Sequence, residues 1–235
     1  MIVAARVDDL VFRYGLPSGA GEQLLALLAL IASDPLVPST VRVLERAVDV
    51  HLADSLSALE LAATRAATRI ADLGSGAGFP GLALAVALPE ARVSLLESSQ
   101  RKCAFLERAL IAAGVSNSRV VCERAESWAD GLVSCDLVTA RAVGPLALLC
   151  EYAAPLLVRG GTLVAWKGAV GQAELAAGET AAAELGLEPV SVVRTEPYPG
   201  SAGHHLHTFV KTTDTPSRFP RRPGAARKHP LGRPR

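Results

Sequence analysis

The chain has 235 residues, half of them hydrophobic, and its formal net charge at pH 7 is only +1. That length can bury a full core in one domain, and no apolar run reaches the roughly 18 residues of a membrane span. Composition therefore excludes a membrane-spanning protein. Four cysteines without a C-x-x-C pair argue against a zinc site or a disulfide framework, and they predict a reducing, cytoplasmic environment.

The charge is distributed unevenly along the chain. Seven basic residues and no acid follow residue 217, which leaves 17 Lys and Arg against 23 Asp and Glu in the remainder. An acidic body with a basic tail indicates that the tail meets an anion, most simply nucleic acid. A solvated, disordered tail is the alternative.

Apolar spacing near 3.6 predicts three N-terminal helices, at Val7–Tyr14, Glu22–Ala32 and Val41–Ala63. Beyond them, predicted strands and helices alternate. The strands are expected near 69–73, 92–97, 118–122, 135–139, 161–166, 189–195 and 206–212. Helices are expected near 80–88, 99–113, 145–157 and 170–185. This alternation predicts an α/β fold with a mostly parallel seven-stranded sheet, and a ligand site at the carboxyl ends of its strands.

A glycine-rich turn follows the first predicted strand, with glycines at 74, 76, 78 and 81. Gly76, Gly78 and Gly81 fit the G-x-G-x-x-G spacing of dinucleotide binders, which is a weak signal alone. Asp72, however, closes the strand just before this turn. A carboxylate there suits a ligand that carries positive charge and suits a pyrophosphate poorly. Asp-x-Gly-x-Gly-x-Gly resembles the first motif of class I S-adenosylmethionine-dependent methyltransferases, whose cofactor carries an ammonium and a sulfonium. Glu97 ends the next strand, where a carboxylate would hold ribose hydroxyls.

Two basic residues follow later strands at the same edge of the predicted sheet. Arg141 interrupts an apolar run after the fourth strand, and Lys167 follows the fifth. Either could hold a phosphate, and Arg141 could also hold a base edge. The competing interpretation of Arg141 is a structural ion pair with Asp54 or Glu126.

Histidines occur in two places. His51, Asp54 and Ser55 share a helix face, for which we expect packing rather than catalysis. His204, His205 and His207 lack a nearby carboxylate or cysteine, so we expect surface positions and no metal site.

Several separate motifs together resemble one family of methyltransferases. They are His-Leu-Ala-Asp-Ser-Leu (51–56), Gly-Ser-Gly-Ala-Gly-Phe-Pro-Gly (74–81), Leu-Leu-Glu-Ser-Ser-Gln-Arg-Lys-Cys-Ala-Phe-Leu (95–106), Arg-Ala-Glu (124–126), Thr-Ala-Arg-Ala-Val (139–143), Trp-Lys-Gly (166–168) and Phe-Pro-Arg-Arg-Pro-Gly (219–224). In this order they resemble the RsmG/GidB family, which methylates N7 of one guanine in small-subunit (16S) ribosomal RNA. The match runs from about His51 to Leu231, and residues 1–50 match poorly.

The resemblance implies a class I methyltransferase fold, S-adenosyl-L-methionine as cofactor, and ribosomal RNA or the 30S particle as partner. It implies Arg141 and Lys167 as catalytic residues. For the cofactor it implies Asp72, Gly74, Gly76, Gly78, Phe79, Glu97, Ala125, Glu126 and Arg141. We expect a cytoplasmic monomer without metal, in which the basic tail contacts RNA.

Guanine N7 is an exposed lone pair, so its methylation needs positioning and no general base. The alternative is a Rossmann-like nucleotide-binding regulatory protein that transfers no methyl group. We expect an N-terminal helical segment at 1–66, a methyltransferase domain at 67–213 and a basic tail at 214–235.

Overall fold

A computed structural model of the chain describes residues 2–201 and 203–232. Seven strands form one sheet, in the order β3-β2-β1-β4-β5-β7-β6. All neighbours are parallel except that β7 runs antiparallel to both β5 and β6. The strands are β1 (Arg69–Leu73), β2 (Arg92–Leu96), β3 (Ser118–Val121), β4 (Cys135–Arg141), β5 (Leu157–Lys167), β6 (Leu187–Thr195) and β7 (His204–Lys211). The predicted number of strands and the mostly parallel sheet are confirmed.

Helices pack on both faces of this sheet because its central strands are apolar on both sides. The longer helices are α1 (Ile2–Tyr14), α2 (Ala20–Ser33), α6 (Gly81–Ala87), α7 (Gln100–Ala113), α8 (Leu146–Ala153) and α9 (Gln172–Leu185). Shorter helices are α3 (Leu44–Ala47), α4 (Asp54–Leu56), α5 (Ala62–Arg65) and α10 (Ala225–Lys228). Two hydrophobic clusters result, one on each face of the sheet. The first also contains the buried sides of α1 and α2, so the N-terminal helices pack on the same core.

The third predicted N-terminal helix is interrupted. Between α3 and α4 the chain widens into a π-helical turn over Val48–Ala53, and a 3₁₀ turn follows over Ser57–Glu60. Apolar spacing cannot distinguish these forms from an α-helix, because they differ in which carbonyl each N–H reaches. The uniform helix expected over Val41–Ala63 is therefore wrong in its detail.

The basic C-terminal segment is packed against the domain as far as the structure describes it. Phe219 and Ala226 are buried in the second hydrophobic cluster. Arg221 pairs with the buried carboxylate of Glu151, with 2.5 Å between Nη2 and Oε2. The division of the chain at residues 66 and 213 stays a prediction.

One disulfide corrects the expectation drawn from cysteine spacing. Cys103 in the first turn of α7 and Cys122 just after β3 are bonded, with Cα atoms 5.8 Å apart. Both positions lie at the carboxyl edge of the sheet, where the chain returns after β2 and β3. Cys135 and Cys150 are free and buried. In the part of the chain described, no helix is long and apolar enough to cross a membrane.

Candidate functional site

The glycine-rich turn after β1 has the backbone that its sequence predicts. Gly74, Gly76 and Gly78 all have positive φ, at 64°, 55° and 94°. At Gly78 a Cβ would also lie 2.2 Å from Leu82 Cδ1, so this glycine is required both by its backbone conformation and by packing. The turn leads directly into α6, which begins at Gly81.

Asp72 lies beneath this turn and is completely buried. Its carboxylate accepts hydrogen bonds from the Thr139 hydroxyl at 2.8 Å and from the Gly81 N–H at 3.2 Å. Burial raises the pKa of Asp72 from 3.8 to about 6, although these hydrogen bonds oppose the shift. The side chain of Asp72 therefore supports the start of α6, and it does not lie in the open position beside a ligand that we expected from the sequence.

A cleft of about 250 Å³ opens at the carboxyl ends of β1 and β2. Of the predicted residues, Gly74, Glu97, Ala125 and Glu126 line it. Glu97 is 7% exposed, and its two carboxylate oxygens accept the N–H groups of Gly76 at 3.2 Å and Ser99 at 2.9 Å. These bonds fix the carboxylate at the cleft and leave each oxygen a further lone pair for a ligand hydroxyl.

The C-terminal segment forms part of the wall of this cleft. Arg227 from α10 lines the cleft together with Tyr152 from α8. The carboxylate of Glu126 accepts the N–H of Gly224 at 3.0 Å, which ties the segment to the rim. Burial raises the pKa of the Tyr152 hydroxyl, although a hydrogen bond with Arg227 opposes the shift. The sequence marked Arg227 only as a member of the basic tail. Its contact with the cleft depends on tertiary packing, which the sequence pattern does not show.

A second cavity of about 320 Å³ adjoins the first, and Ala142 lines both. Ala142 has φ of 58°, which costs free energy for any residue except glycine. The side chains that surround this second cavity come from the N-terminal segment and from β4, β5 and β7. They include Asp54, Arg141, Trp166, Lys167 and His204.

Asp54 is the centre of a hydrogen-bonded network in the second cavity. Its two oxygens meet Arg141 Nη1 at 2.7 Å and His204 Nδ1 at 2.9 Å, and its backbone carbonyl accepts the indole N–H of Trp166. Arg141 also donates to the carbonyl of Val50 in the π-helical turn at 2.8 Å. The ion pair of Arg141 with Asp54, weighed from sequence as the competing interpretation, is thus present, and Arg141 still lines the cavity.

Lys167 is also held in place rather than free. Its ammonium lies 2.6 Å from Glu174 on α9 and donates to the carbonyl of Gly144 at 3.1 Å. Arg141 and Lys167 therefore lie on one cavity, as expected from their strand ends.

Two further predicted residues line neither cavity, because Gly76 and Gly78 belong to the interior of the turn. Phe79 is likewise buried, and its ring stacks on His51 with centroids 4.9 Å apart. Burial lowers the pKa of His51 to about 4 and so keeps it neutral. The packing role expected for His51 agrees with this contact.

The surface position expected for the C-terminal histidines is wrong for His207, whereas the side chain of His204 is 37% exposed. His207 is buried, and burial lowers its pKa. His204 belongs to the Asp54 network, and β-strand alternation along β7 gave no sign of that partner. Among the described residues, no group of three His, Cys, Asp or Glu side chains could hold a metal ion.

Comparison with known proteins gives a consistent result. The family model described as "rRNA small subunit methyltransferase G" (GidB) matches residues 37–198. A ribosomal RNA small subunit methyltransferase G from Rubrobacter xylanophilus is 42% identical over 77% of this chain and 72% of its own length. The protein of the same name from Deinococcus radiodurans is 38% identical over 89% of this chain and 85% of its own.

Solved structures agree on the fold. A protein from Agrobacterium tumefaciens described as a predicted O-methyltransferase has a TM-score of 0.53 at 28% identity, over 69% of this chain and 80% of that one. Fibrillarin from Aeropyrum pernix, solved with bound S-adenosyl-L-methionine, has a TM-score of 0.53 at 19% identity over 67% and 73%. The class I methyltransferase fold expected from the sequence is confirmed. The chain belongs to the GidB family of S-adenosylmethionine-dependent methyltransferases.

Proposed function

We propose that this chain transfers the methyl group of S-adenosyl-L-methionine to N7 of a guanine in small-subunit (16S) ribosomal RNA. The observation that carries the proposal is the pair of adjoining cavities, which meet at the strained backbone of Ala142. One cavity has the groups that a nucleoside-like cofactor needs, and the other presents Arg141 and Lys167, whose remaining N–H donors suit a nucleotide.

The first cavity fits the cofactor at three places. The turn at Gly74 offers backbone without a Cβ, and the Glu97 carboxylate has lone pairs left for the two ribose hydroxyls. Ala125 and Glu126 line the cleft where they would hold adenine. When bound, the cofactor supplies an electrophilic methyl group on a sulfonium. Asp72, Gly76 and Gly78 would act indirectly, by holding the turn in shape.

The second cavity suits a nucleophile that is already a lone pair. Guanine N7 carries no proton, so its methylation depends on in-line positioning and requires no general base. Both oxygens of the Asp54 carboxylate are engaged, by Arg141 and His204. That carboxylate therefore orients its neighbours and is a poor acceptor for a substrate proton.

Arg141 and Lys167 would orient the RNA at this cavity. Arg141 has a guanidinium fork that is held at one nitrogen by Asp54 and Val50, which leaves further N–H donors for a base edge or a phosphate. Lys167 is held by Glu174 and would contribute a point charge toward a phosphate. We propose that both contact the substrate, and that Arg141 also faces the methyl-transfer position.

The names of the relatives supply the RNA partner. Both relatives are ribosomal RNA methyltransferases of the small subunit, so naked rRNA or the 30S particle is the proposed substrate. We also propose that the protein acts in the cytoplasm as a monomer, without a metal ion. The alternative of a nucleotide-binding regulator is not favoured, because the family match covers most of the chain.

The test is transfer of a labelled methyl group to purified small subunits and to naked rRNA, followed by borohydride–aniline cleavage and mapping by reverse transcription. We expect cleavage at one guanine. Label without cleavage would refute N7 as the target atom, and no label on either substrate would refute the methyltransferase.

The Arg141→Ala variant adds a control within the site. We expect cofactor affinity to be kept and methylation to be lost. Unchanged methylation would refute the substrate role of Arg141.

A further inference from the structure

The sheet is left uncovered over part of one face. The connection between β3 and β4 contains only 3₁₀ turns at Ala125–Ser127 and Ala129–Gly131, where a parallel α/β sheet usually has a covering helix. A groove of about 720 Å³ remains over the amino-terminal halves of β1, β2 and β3. It is larger than either of the two cavities at the carboxyl ends of the strands.

Three arginines of neighbouring strands face this groove. Arg69 of β1 is the direct neighbour of Arg92 of β2, and Arg119 of β3 is the neighbour of Ser94 two residues further along β2. Side chains alternate between the faces of a sheet, so all three lie on one face. The residues two positions beyond them, such as Ala71 and Val121, belong to the second hydrophobic cluster, which confirms the shared face.

These arginines differ in how they are held. The Nε of Arg119 donates to the Ser94 hydroxyl at 3.2 Å, and its guanidinium lies 5.8 Å from the ring centre of Trp128. Within 2–201 and 203–232, the guanidinium groups of Arg69 and Arg92 make no hydrogen bond or ion pair. All three residues are exposed.

Acids are present near the groove but do not pair with these arginines. Glu90 and Asp130 line it, and neither forms an ion pair among the described residues. The carboxylate of Asp136 accepts hydrogen bonds from Thr68 and from the backbone N–H of Arg69. Two like charges on directly neighbouring strand positions repel each other. An anion between Arg69 and Arg92 would remove that cost.

We infer that this groove is a second RNA contact, in which Arg69, Arg92 and Arg119 bind backbone phosphates of the ribosomal RNA. Guanidinium groups bind phosphate through two parallel N–H donors, and such contacts position an RNA without reading its sequence. The groove is open and polar, so it suits a solvated backbone rather than an unstacked base.

The groove is distinct from the methyl-transfer site. It lies at the amino ends of the strands, whereas the two cavities of the methyl-transfer site lie at the carboxyl ends. β1 and β2 are five residues long, so the two regions are separated by roughly 15 Å at about 3.3 Å per residue. The inference rests on the proposed function for its partner, because the RNA that enters the groove is the RNA that is methylated.

The test compares two double variants that lose the same charge. Arg69→Gln with Arg92→Gln alters the groove, and Arg159→Gln with Arg194→Gln alters exposed arginines that already pair with Asp214 and Glu196. Binding to small-subunit rRNA is measured at several salt concentrations, with cofactor affinity and circular dichroism as checks on the fold. Each phosphate contact contributes about 0.7 to 0.9 to the slope of log affinity against log salt, so the groove variant should lose roughly 1.4 to 1.8.

We expect the control variant to keep the wild-type slope. We also expect the groove variant to reach wild-type turnover at saturating RNA, with a raised KM. Equal slopes in the two variants would overturn the inference. It would also be overturned if inorganic phosphate bound in the groove without weakening RNA binding. If the double variant unfolds, Arg92→Gln alone should lose about half of that slope change. Failure of the wild-type protein to methylate or bind the RNA would instead refute the proposed function, a result separate from the comparison of variants.

Discussion

Replacing Asp72 by asparagine should change how the stability of this protein depends on pH. The Asp72 carboxyl is completely buried, and burial raises its pKa from 3.8 to about 6 in the folded state. The unfolded chain therefore releases this proton at a lower pH than the folded chain does. Asparagine has nearly the same shape, and it can still accept from Gly81 and donate to Thr139.

The sign of the effect follows from linkage. Below pH 3.8 both states are protonated, and the folded state keeps the full benefit of a neutral buried carboxyl. Between about pH 4 and 6 only the unfolded state is ionised, so the free energy of unfolding falls as pH rises. A shift from 3.8 to about 6 at about 1.4 kcal/mol per pKa unit gives a loss of about 3 kcal/mol, complete somewhat above pH 6.

The assay is urea unfolding of the wild type and of Asp72→Asn from pH 3.5 to 7.5, followed by the fluorescence of Trp128 and Trp166. Both indoles are buried, so their emission reports unfolding. All other titrating groups are common to the two proteins. The difference between their unfolding free energies should therefore move by about 3 kcal/mol in favour of the variant as pH rises.

A matched control removes an exposed carboxylate. Asp9 lies on the exposed side of α1, and Asp9→Asn should give a curve parallel to that of the wild type. If Asp72→Asn also ran parallel to the wild type, the assignment of a buried, proton-binding carboxyl at position 72 would be refuted.

Three further changes test the site. Glu97→Gln should weaken cofactor binding, measured by calorimetry, roughly tenfold, since a neutral amide accepts hydrogen bonds less strongly than a carboxylate. The control Glu107→Gln, on the exposed side of α7, should leave the cofactor affinity unchanged. His204→Gln should lower turnover by far less than the roughly 100-fold that the loss of a general base costs, because guanine N7 has no proton to remove. A roughly 100-fold loss of turnover would contradict N7 as the target atom. Cys122→Ser should lower the unfolding free energy by about 3 kcal/mol, because it opens the disulfide-closed loop that spans 19 positions. A reductant should lower the unfolding free energy of the wild type to the same value. No effect of the reductant would contradict a stabilising disulfide.

The sheet and the glycine turn could be predicted because their signals are local. Short apolar runs, their alternation with helical segments and the glycines at 74, 76 and 78 depend on neighbours in sequence. Gly74 and Glu97 line the cleft because each ends a parallel strand at the same edge. Sequence position gives that edge but not the direction of a side chain, which is why the buried orientation of Asp72 was missed.

The contacts that were missed all join distant parts of the chain. Arg227 reaches the cleft from more than 80 residues beyond Ala142, and His204 meets Asp54 across a separation of 150 residues. Cys103 and Cys122 had one usable signal, since Cys103 lies in the helix after the second predicted strand and Cys122 ends the third. Spacing rules for metal and disulfide motifs look for close pairs and do not detect a pair that the sheet brings together.

The Asp54 network joins the N-terminal segment to the cavity proposed for the substrate. Asp54 is only 4% exposed, and an isolated charge buried to that degree would be costly in free energy. Arg141 from β4 and His204 from β7 offset the cost, while the π-helical turn before Asp54 supplies the Val50 carbonyl to the same guanidinium. Each partner is thus held by groups from a different part of the chain. Replacing Asp54 would remove the carboxylate that Arg141 and His204 share, so the orientation of Arg141 at the cavity depends on contacts between distant parts of the chain.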